Sequence, residues 1–400
     1  MNDRLLTPWR LLVAMVLTGW LAIILWPALL LQLGVAFHTQ WFLDSYAILA
    51  ASDAVRSGAD VTHANALDLL NRPHVYSDWW LGLRWLGLTR ADNFPFGGTC
   101  VLAAMTVAFL AVRPRTNREA LVLAAVLLSP PFLLAVQRAN NDLVIFTLVG
   151  AAALGVARGT GGGRLACFGT AVVLATGLKY YPLAAAGALA LLPWNRRVGW
   201  TLALTLAAAG IVLFSERDSI GRGTFALPAT IYEFGAAVLW RDLGLGPRAM
   251  VGLASLLLGL AALVMARQRW VGGLADDARG TEGERFLFAA GACLLVGCFV
   301  AGTSYFYRWI FGLWLAPWLV REAGAGRKAA RVALVLWLVS IWADGVLCLV
   351  VNSRGLAYRP AFGWRMATQA ATWALLALLA GWLLEGVVAR ARAWRQASRS

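Results

Sequence analysis

The sequence predicts an all-α, polytopic transmembrane helical bundle, one integral membrane domain over residues 1–400, and three observations carry the prediction. Sixty per cent of the 400 residues are apolar and only 14% charged, with a mean hydropathy of +0.69, beyond what a water-soluble surface of this size tolerates. Apolar runs follow one another across short polar gaps, as helices do when their backbones must satisfy themselves inside lipid. The basic residues fall in those gaps rather than in one patch.

A span needs about 20 apolar residues, fewer when tilted or packed among neighbours. On that criterion about twelve spans are expected, some short or re-entrant: 11–37, 96–112, 119–136, 143–157, 165–178, 182–193, 198–214, 249–266, 286–302, 309–320, 332–351 and 366–388. The first run, Leu11 to Phe37, is too long for a signal-peptide core and lacks a clear small-residue cleavage site, so it is expected to stay as an anchor. The polar interval 38–95 follows, in which Trp41 to Ser57 and the tryptophan-rich Asp78 to Leu88 read as amphipathic helices lying at the interface. Arg158 to Arg164 is glycine-rich but lacks the GKS/T ending of a phosphate loop, and reads as a turn. Within 165–193, Lys179-Tyr180-Tyr181-Pro182 interrupts the apolar run. Proline removes a backbone donor and disfavours helical geometry in the residue before it, so two short spans are expected to meet there.

That pairing also fits the charge distribution. One class of alternating gaps holds 21 of the 35 Lys and Arg residues, among them Arg196, Arg197 and the basic tail 389–400; the other 14 are spread over a greater length. Cytoplasmic loops retain such an excess, so both termini are expected on the cytoplasmic side of the cell's inner membrane. The net charge of +15 then reports orientation rather than a nucleic-acid partner. The outer side collects the first outer loop 38–95, residues 137–142 and 179–182, the second outer loop 215–248, and residues 302–308 and 352–365. The five cysteines lie inside apolar stretches without metal-ligand spacing and read as small core residues.

Four places on the outer side carry candidate chemistry. Asp44, just beyond the first span, suits a general base for an acceptor hydroxyl, or else a helix-start aspartate with no further role. The hairpin Gln137 to Asp142 is wedged between apolar runs, where ionisable groups are costly and face a cavity or a partner. There Arg138 suits a phosphate, while Asn140, Asn141 and Asp142 suit sugar hydroxyls; alternatively this is a capped turn with Asp142 pairing Arg138. Lys179, the only lysine besides Lys328, suits a phosphate or snorkels to the headgroups, with Tyr181 beside it. In Ser304 to Arg308, Tyr305 and Tyr307 read as an aromatic belt, and Arg308 as an anchor or a further phosphate ligand. His38, His63 and His74 share the first outer loop with several aspartates, but at irregular spacing, so no metal site is expected.

Ser129-Pro130-Pro131, Gln137-Arg138-Ala139-Asn140-Asn141-Asp142-Leu143, Leu178-Lys179-Tyr180-Tyr181-Pro182 and Tyr307-Arg308-Trp309-Ile310-Phe311 resemble, in order and spacing, the SPP, RGNxDL, LKxYP and YRLIF motifs of bacterial glycosyltransferase family 87-like membrane proteins. Ala139 stands where that pattern has glycine. The resemblance covers roughly residues 40–320 and implies a GT-C-like bundle using a polyprenyl-phosphate sugar donor and a lipid or glycan acceptor at the outer face, without a cofactor. By position it implies Asp44 as the base and Arg138, Lys179 and Arg308 facing the donor phosphate. A carrier or flippase for a lipid-linked anion, or a non-catalytic envelope-assembly subunit, would use the same cations without a base.

Overall fold

The computed structural model describes residues 7–35, 40–223, 233–267, 282–301, 304–354 and 358–397; His38, residues 224–232 of the second outer loop and most of the basic gap 267–285 lie outside them. The described chain is mostly helical, and its strands among the described residues form one two-stranded antiparallel pair, Glu233–Phe234 with Ser304–Tyr305. Among the described residues seven helices are long and apolar enough to cross a membrane, or eight if the bent pair Asn117–Leu127 and Pro130–Gln137 counts as one span.

Local chemistry explains where helices start and stop. Thr7 accepts the Arg10 N–H and Pro8 opens the helix Pro8–Leu25. The expected single span 11–37 is instead broken at Trp26-Pro27, because Pro27 cannot donate to the helical ladder, and a short helix Ala28–Gln32 follows. The second break is Ser129-Pro130-Pro131, which bends the chain by 51° into Pro130–Gln137. A third lies at Lys179, whose extended φ of −154° ends Gly162–Leu178 before a 3-10 helix at Tyr181–Leu191. The expected span 309–320 is likewise two short helices, Phe306–Trp314 and Ala316–Gly324, divided just before Pro317. In the interval 38–95, Leu43–Arg56 is an α-helix and Asp78–Leu86 a 3-10 helix that ends at Gly87 and leaves Trp85 79% exposed.

Packing separates an inner helix from lipid-facing ones. Glu282–Val300 is buried over 72% of its apolar window, against 17% for each of Pro8–Leu25, Arg196–Ser215 and Met250–Arg267. It packs on Tyr181–Leu191 and Phe306–Trp314, short helices that flank two of the breaks, and on Asp142–Ala157 and Tyr358–Ala397. The peripheral helices expose Leu17, Leu21, Ile24, Leu204, Ile211 and Leu256, as a lipid solvent requires. Salt bridges from Arg365 to Glu233 (2.7 Å) and to Asp242 hold the strand Glu233–Phe234, and so fix Ser304–Tyr305, its partner.

Glu216 at the C-terminal end of Arg196–Ser215 meets Ser77 of the interval 38–95, so that interval and Arg197 stand at opposite ends of a helix about 30 Å long. In a cysteine-free background, Trp85→Cys and Arg197→Cys should therefore be labelled by an impermeant maleimide from opposite sides of the membrane, Arg197→Cys from the cytoplasmic side. Labelling of both from one side would mean that Arg196–Ser215 does not cross the membrane, and labelling of Arg197→Cys from the outer side would reverse the topology.

Candidate functional site

One carboxylate ties distant segments together. Phe42, in a left-handed conformation (φ 62°), turns the chain into Leu43–Arg56 with Asp44 in the first turn. The backbone there pairs with the end of Pro130–Gln137: Phe42 N–H donates to the Gln137 carbonyl at 2.8 Å, and Asp44 N–H to that of Arg138 at 3.0 Å. The buried Asp44 side chain accepts from Arg138 Nε (2.9 Å) and Nη2 (2.7 Å), Asn140 Nδ2 (2.6 Å) and Arg72 Nη1 (3.2 Å). Arg72 is itself held by Asp68, with Nε to Oδ2 at 2.8 Å and Nη2 to Oδ1 at 2.9 Å. Burial alone would raise the Asp44 carboxyl, but the Arg138 charge and its hydrogen bonds, then Arg72 and Asn140, outweigh it and hold the group well below the usual carboxylate range.

Asn140 joins this centre to a second one. Its Oδ1 accepts the Asp142 N–H at 2.9 Å, closing the turn that opens the helix Asp142–Ala157. The fully buried Asp142 accepts on Oδ1 from the Lys179 ammonium and from Tyr181 Oη at 2.7 Å, while its Oδ2 lies 3.8 Å from Arg308 Nε. Arg308 stacks 4.4 Å over the Tyr181 ring and donates from Nη1 to the Cys298 carbonyl at 3.4 Å. The break at Leu178-Lys179 is pinned from the 3-10 helix Asp78–Leu86, since Trp80 Nε1 donates to the Leu178 carbonyl at 3.1 Å.

A cleft of about 690 Å³, counted out to its mouth, opens over the second centre and is lined by Tyr76, Ser77, Lys179, Glu216, Tyr305, Tyr307 and Arg308 among others. Lys179 Nζ sits 5.4 Å from the Tyr76 ring centroid. Partial burial and the Asp44 charge push the Tyr76 hydroxyl above its ordinary range, so it stays a neutral donor.

Of the eight candidate catalytic and binding residues, all but Asn141 belong to this linked set, and of those eight Lys179 and Arg308 line the cleft, beside Tyr305 and Tyr307. Asp44 and Arg138 neutralise each other beside it. Asp44, the expected base, is buried and engaged by Arg138, Asn140 and Arg72, and in this arrangement it holds Arg138 and Asn140 in place. Asn140, Asp142 and Tyr181 likewise support the two cleft cations from below the lining, and Asn141 is buried outside it. The pairing of Asp142 with Arg138 gives way to one with Lys179 and Arg308. Tyr305 and Tyr307 are no aromatic belt: Tyr307 is 4% exposed, and Arg138 lies 5.8 Å over the Tyr305 ring. Arg72 and Tyr76 went unflagged because a polar residue in a polar interval carries no cost, and Glu216 because it closes an apolar run without a motif around it. Among the described residues no three His, Cys, Asp or Glu side chains gather as a metal site would need. No family model, no curated protein and no solved structure matches the chain.

Two predictions follow from the hairpin and its carboxylate. Ala139 sits at φ 41° and is 2% exposed. Ala139→Gly exchanges about 1–2 kcal/mol of left-handed strain for a similar sum of chain entropy and one buried methyl, and should melt within about 1 kcal/mol of wild type. Ala139→Val forces a β-branched residue into the same conformation and should cost more than about 2 kcal/mol. For Asp44 the folded value is depressed, so its stabilisation is complete above the ordinary carboxylate range near pH 4 and is lost as pH falls toward the folded value. Thermal melts in nanodiscs should be flat from neutral pH to about pH 4 and drop below it. Asp44→Asn, which leaves buried guanidinium charge uncompensated, should lose about 3–5 kcal/mol at neutral pH and show a shallower acid limb.

Proposed function

We propose that this chain is a membrane glycosyltransferase that moves a sugar from a polyprenyl-phosphate donor to a lipid- or envelope-linked hydroxyl on the outer face of the membrane. The observation that supports it most is the pairing of Lys179 and Arg308 in the lining of one cleft, both nearly buried and both backed by the single carboxylate of Asp142. Lys179 and Arg308 share the one carboxylate of Asp142, so each keeps hydrogen-bonding capacity for an anionic phosphate in the cleft. A departing phosphate needs its charge stabilised and no proton, which is what fixed cations supply. Tyr76, Tyr305 and Tyr307 offer ring faces and hydroxyls to a sugar, and the resemblance of the hairpin and Lys179 motifs to family 87-like proteins points the same way. Drawn so, the reaction asks for no nucleotide.

The engagement of Asp44 by two arginines favours a second reading, a carrier or flippase for the same lipid-linked anion, because the expected base is not free to act. Purified protein incubated with radiolabelled polyprenyl-phosphate sugars and a membrane-lipid extract separates the two. An enzyme yields a labelled product and spent donor, whereas a carrier in proteoliposomes moves the label across the membrane with the donor intact.

Arg308→Gln tests the cation pair, since Asp142 keeps Lys179 and Tyr181 when Arg308 is removed. Losing one charged hydrogen bond to phosphate, about 1.5–3 kcal/mol, should weaken donor binding by roughly 10- to 100-fold with little change in the melting temperature of the unliganded protein. Unchanged donor affinity would remove Arg308 from the donor site.

A further inference from the structure

The geometry points to Glu216 as the group that takes the proton from the acceptor hydroxyl, an assignment that rests on the glycosyl-transfer reading above. Transfer needs a carboxylate that faces the cleft, and Glu216 is the only acidic residue in the lining. Asp142 is spent on Lys179, Tyr181 and Arg308, and Asp44 on Arg72, Arg138 and Asn140.

The two oxygens of Glu216 are in different situations. Oε2 is tethered by three donors: Ser77 Oγ at 2.9 Å, Ser219 Oγ at 2.9 Å and the Asp78 backbone N–H at 3.2 Å. Among the described residues no donor reaches Oε1, and no cation pairs with the carboxylate. A tether on one oxygen fixes the position of the other while leaving its lone pairs for an incoming hydroxyl, the arrangement a general base requires. No cation neutralises it in place, as Arg138 does Asp44. Lys179 and Arg308 line the same cleft, so donor phosphate and acceptor hydroxyl would meet across the sugar.

The step balances as follows. The acceptor O–H gives its proton to Glu216 Oε1 as its oxygen forms a bond to the anomeric carbon. The bond from that carbon to the phosphate oxygen breaks, its electron pair leaves with the polyprenyl phosphate, and Lys179 and Arg308 stabilise the charge. The acceptor then enters beside Ser77 and Ser219, the residues that hold the base.

Glu216→Gln separates base from bracket, because the amide oxygen can still accept from Ser77, Ser219 and Asp78. The experiment measures kcat and donor KM with polyprenyl-phosphate sugars, and donor affinity by equilibrium binding. The expected result is a fall in kcat of about 10²- to 10⁴-fold with donor affinity held within about threefold, while Ser77→Ala, which loosens the tether, costs under tenfold. Equal losses in Ser77→Ala and Glu216→Gln would make Glu216 a bracket and overturn the assignment, as would a Glu216→Gln protein that turns over within about threefold of wild type. If Glu216→Gln fails to fold, Glu216→Asp replaces it: a lower kcat at unchanged KM supports the base, and an unchanged kcat overturns it. Wild-type protein that binds donor but transfers nothing overturns the glycosyl-transfer reading itself.

Discussion

Asp44 and the groups that hold it set the conditions for everything around the cleft. A carboxylate taken out of water is expensive unless nearly all its lone pairs are used, and here Arg138, Asn140 and Arg72 use them. The outcome is mechanical as well as electrostatic. Arg138 and Asn140 belong to a turn of six residues, so anchoring them anchors the start of Asp142–Ala157, and with it the carboxylate on which Lys179 and Arg308 converge. Remove Asp44 and the second centre loses its reference point, although no atom of Asp44 touches it.

The sequence disclosed the bundle and the members of the site through one shared signal. Charges at the edges of apolar runs are costly in lipid, so Asp44, Arg138, Lys179 and Arg308 stood out, and the linked set contains them all. What it did not disclose was who pairs with whom. Asp142 lies four residues from Arg138 and 37 from Lys179, yet the left-handed turn at Ala139 aims Arg138 away toward Asp44. Arg72 and Tyr76 escaped notice in a long interval with no apolar run beside them, and Glu216 because it closes an apolar run without a motif around it. The breaks divide the same way: the proline after Lys179 was legible from the charge asymmetry around it, whereas Pro27, with no charge beside it, was lost in an otherwise unbroken apolar run.

The inner helix Glu282–Val300 shows why so many of the remaining elements are short. It presents small residues to its neighbours, and at Gly297 an added Cβ would come within 2.3 Å of Ala184. Such close approach lets the short 3-10 helices Tyr181–Leu191 and Phe306–Trp314 lie against one column, and each of them begins beside a cleft cation. Polar groups freed at the breaks are thereby kept inside protein, where Lys179, Arg308 and Asp142 can meet them, instead of facing lipid.

The sequence distances within the Asp44 cage also have a bearing on how the chain is made. Synthesis from the N-terminus delivers Asp44 first, Arg72 28 residues later and Arg138 only after 94. For that interval the first loop has Arg72 and Asp68 with which to settle its charges, so it can assume a provisional arrangement while the next helices are still being inserted. The arrival of the hairpin converts that arrangement into the final one. A ribosome pause or an insertion fault between residues 72 and 138 would thus strand the loop in its half-partnered form, a state for quality-control proteases to recognise before any of the later helices exist.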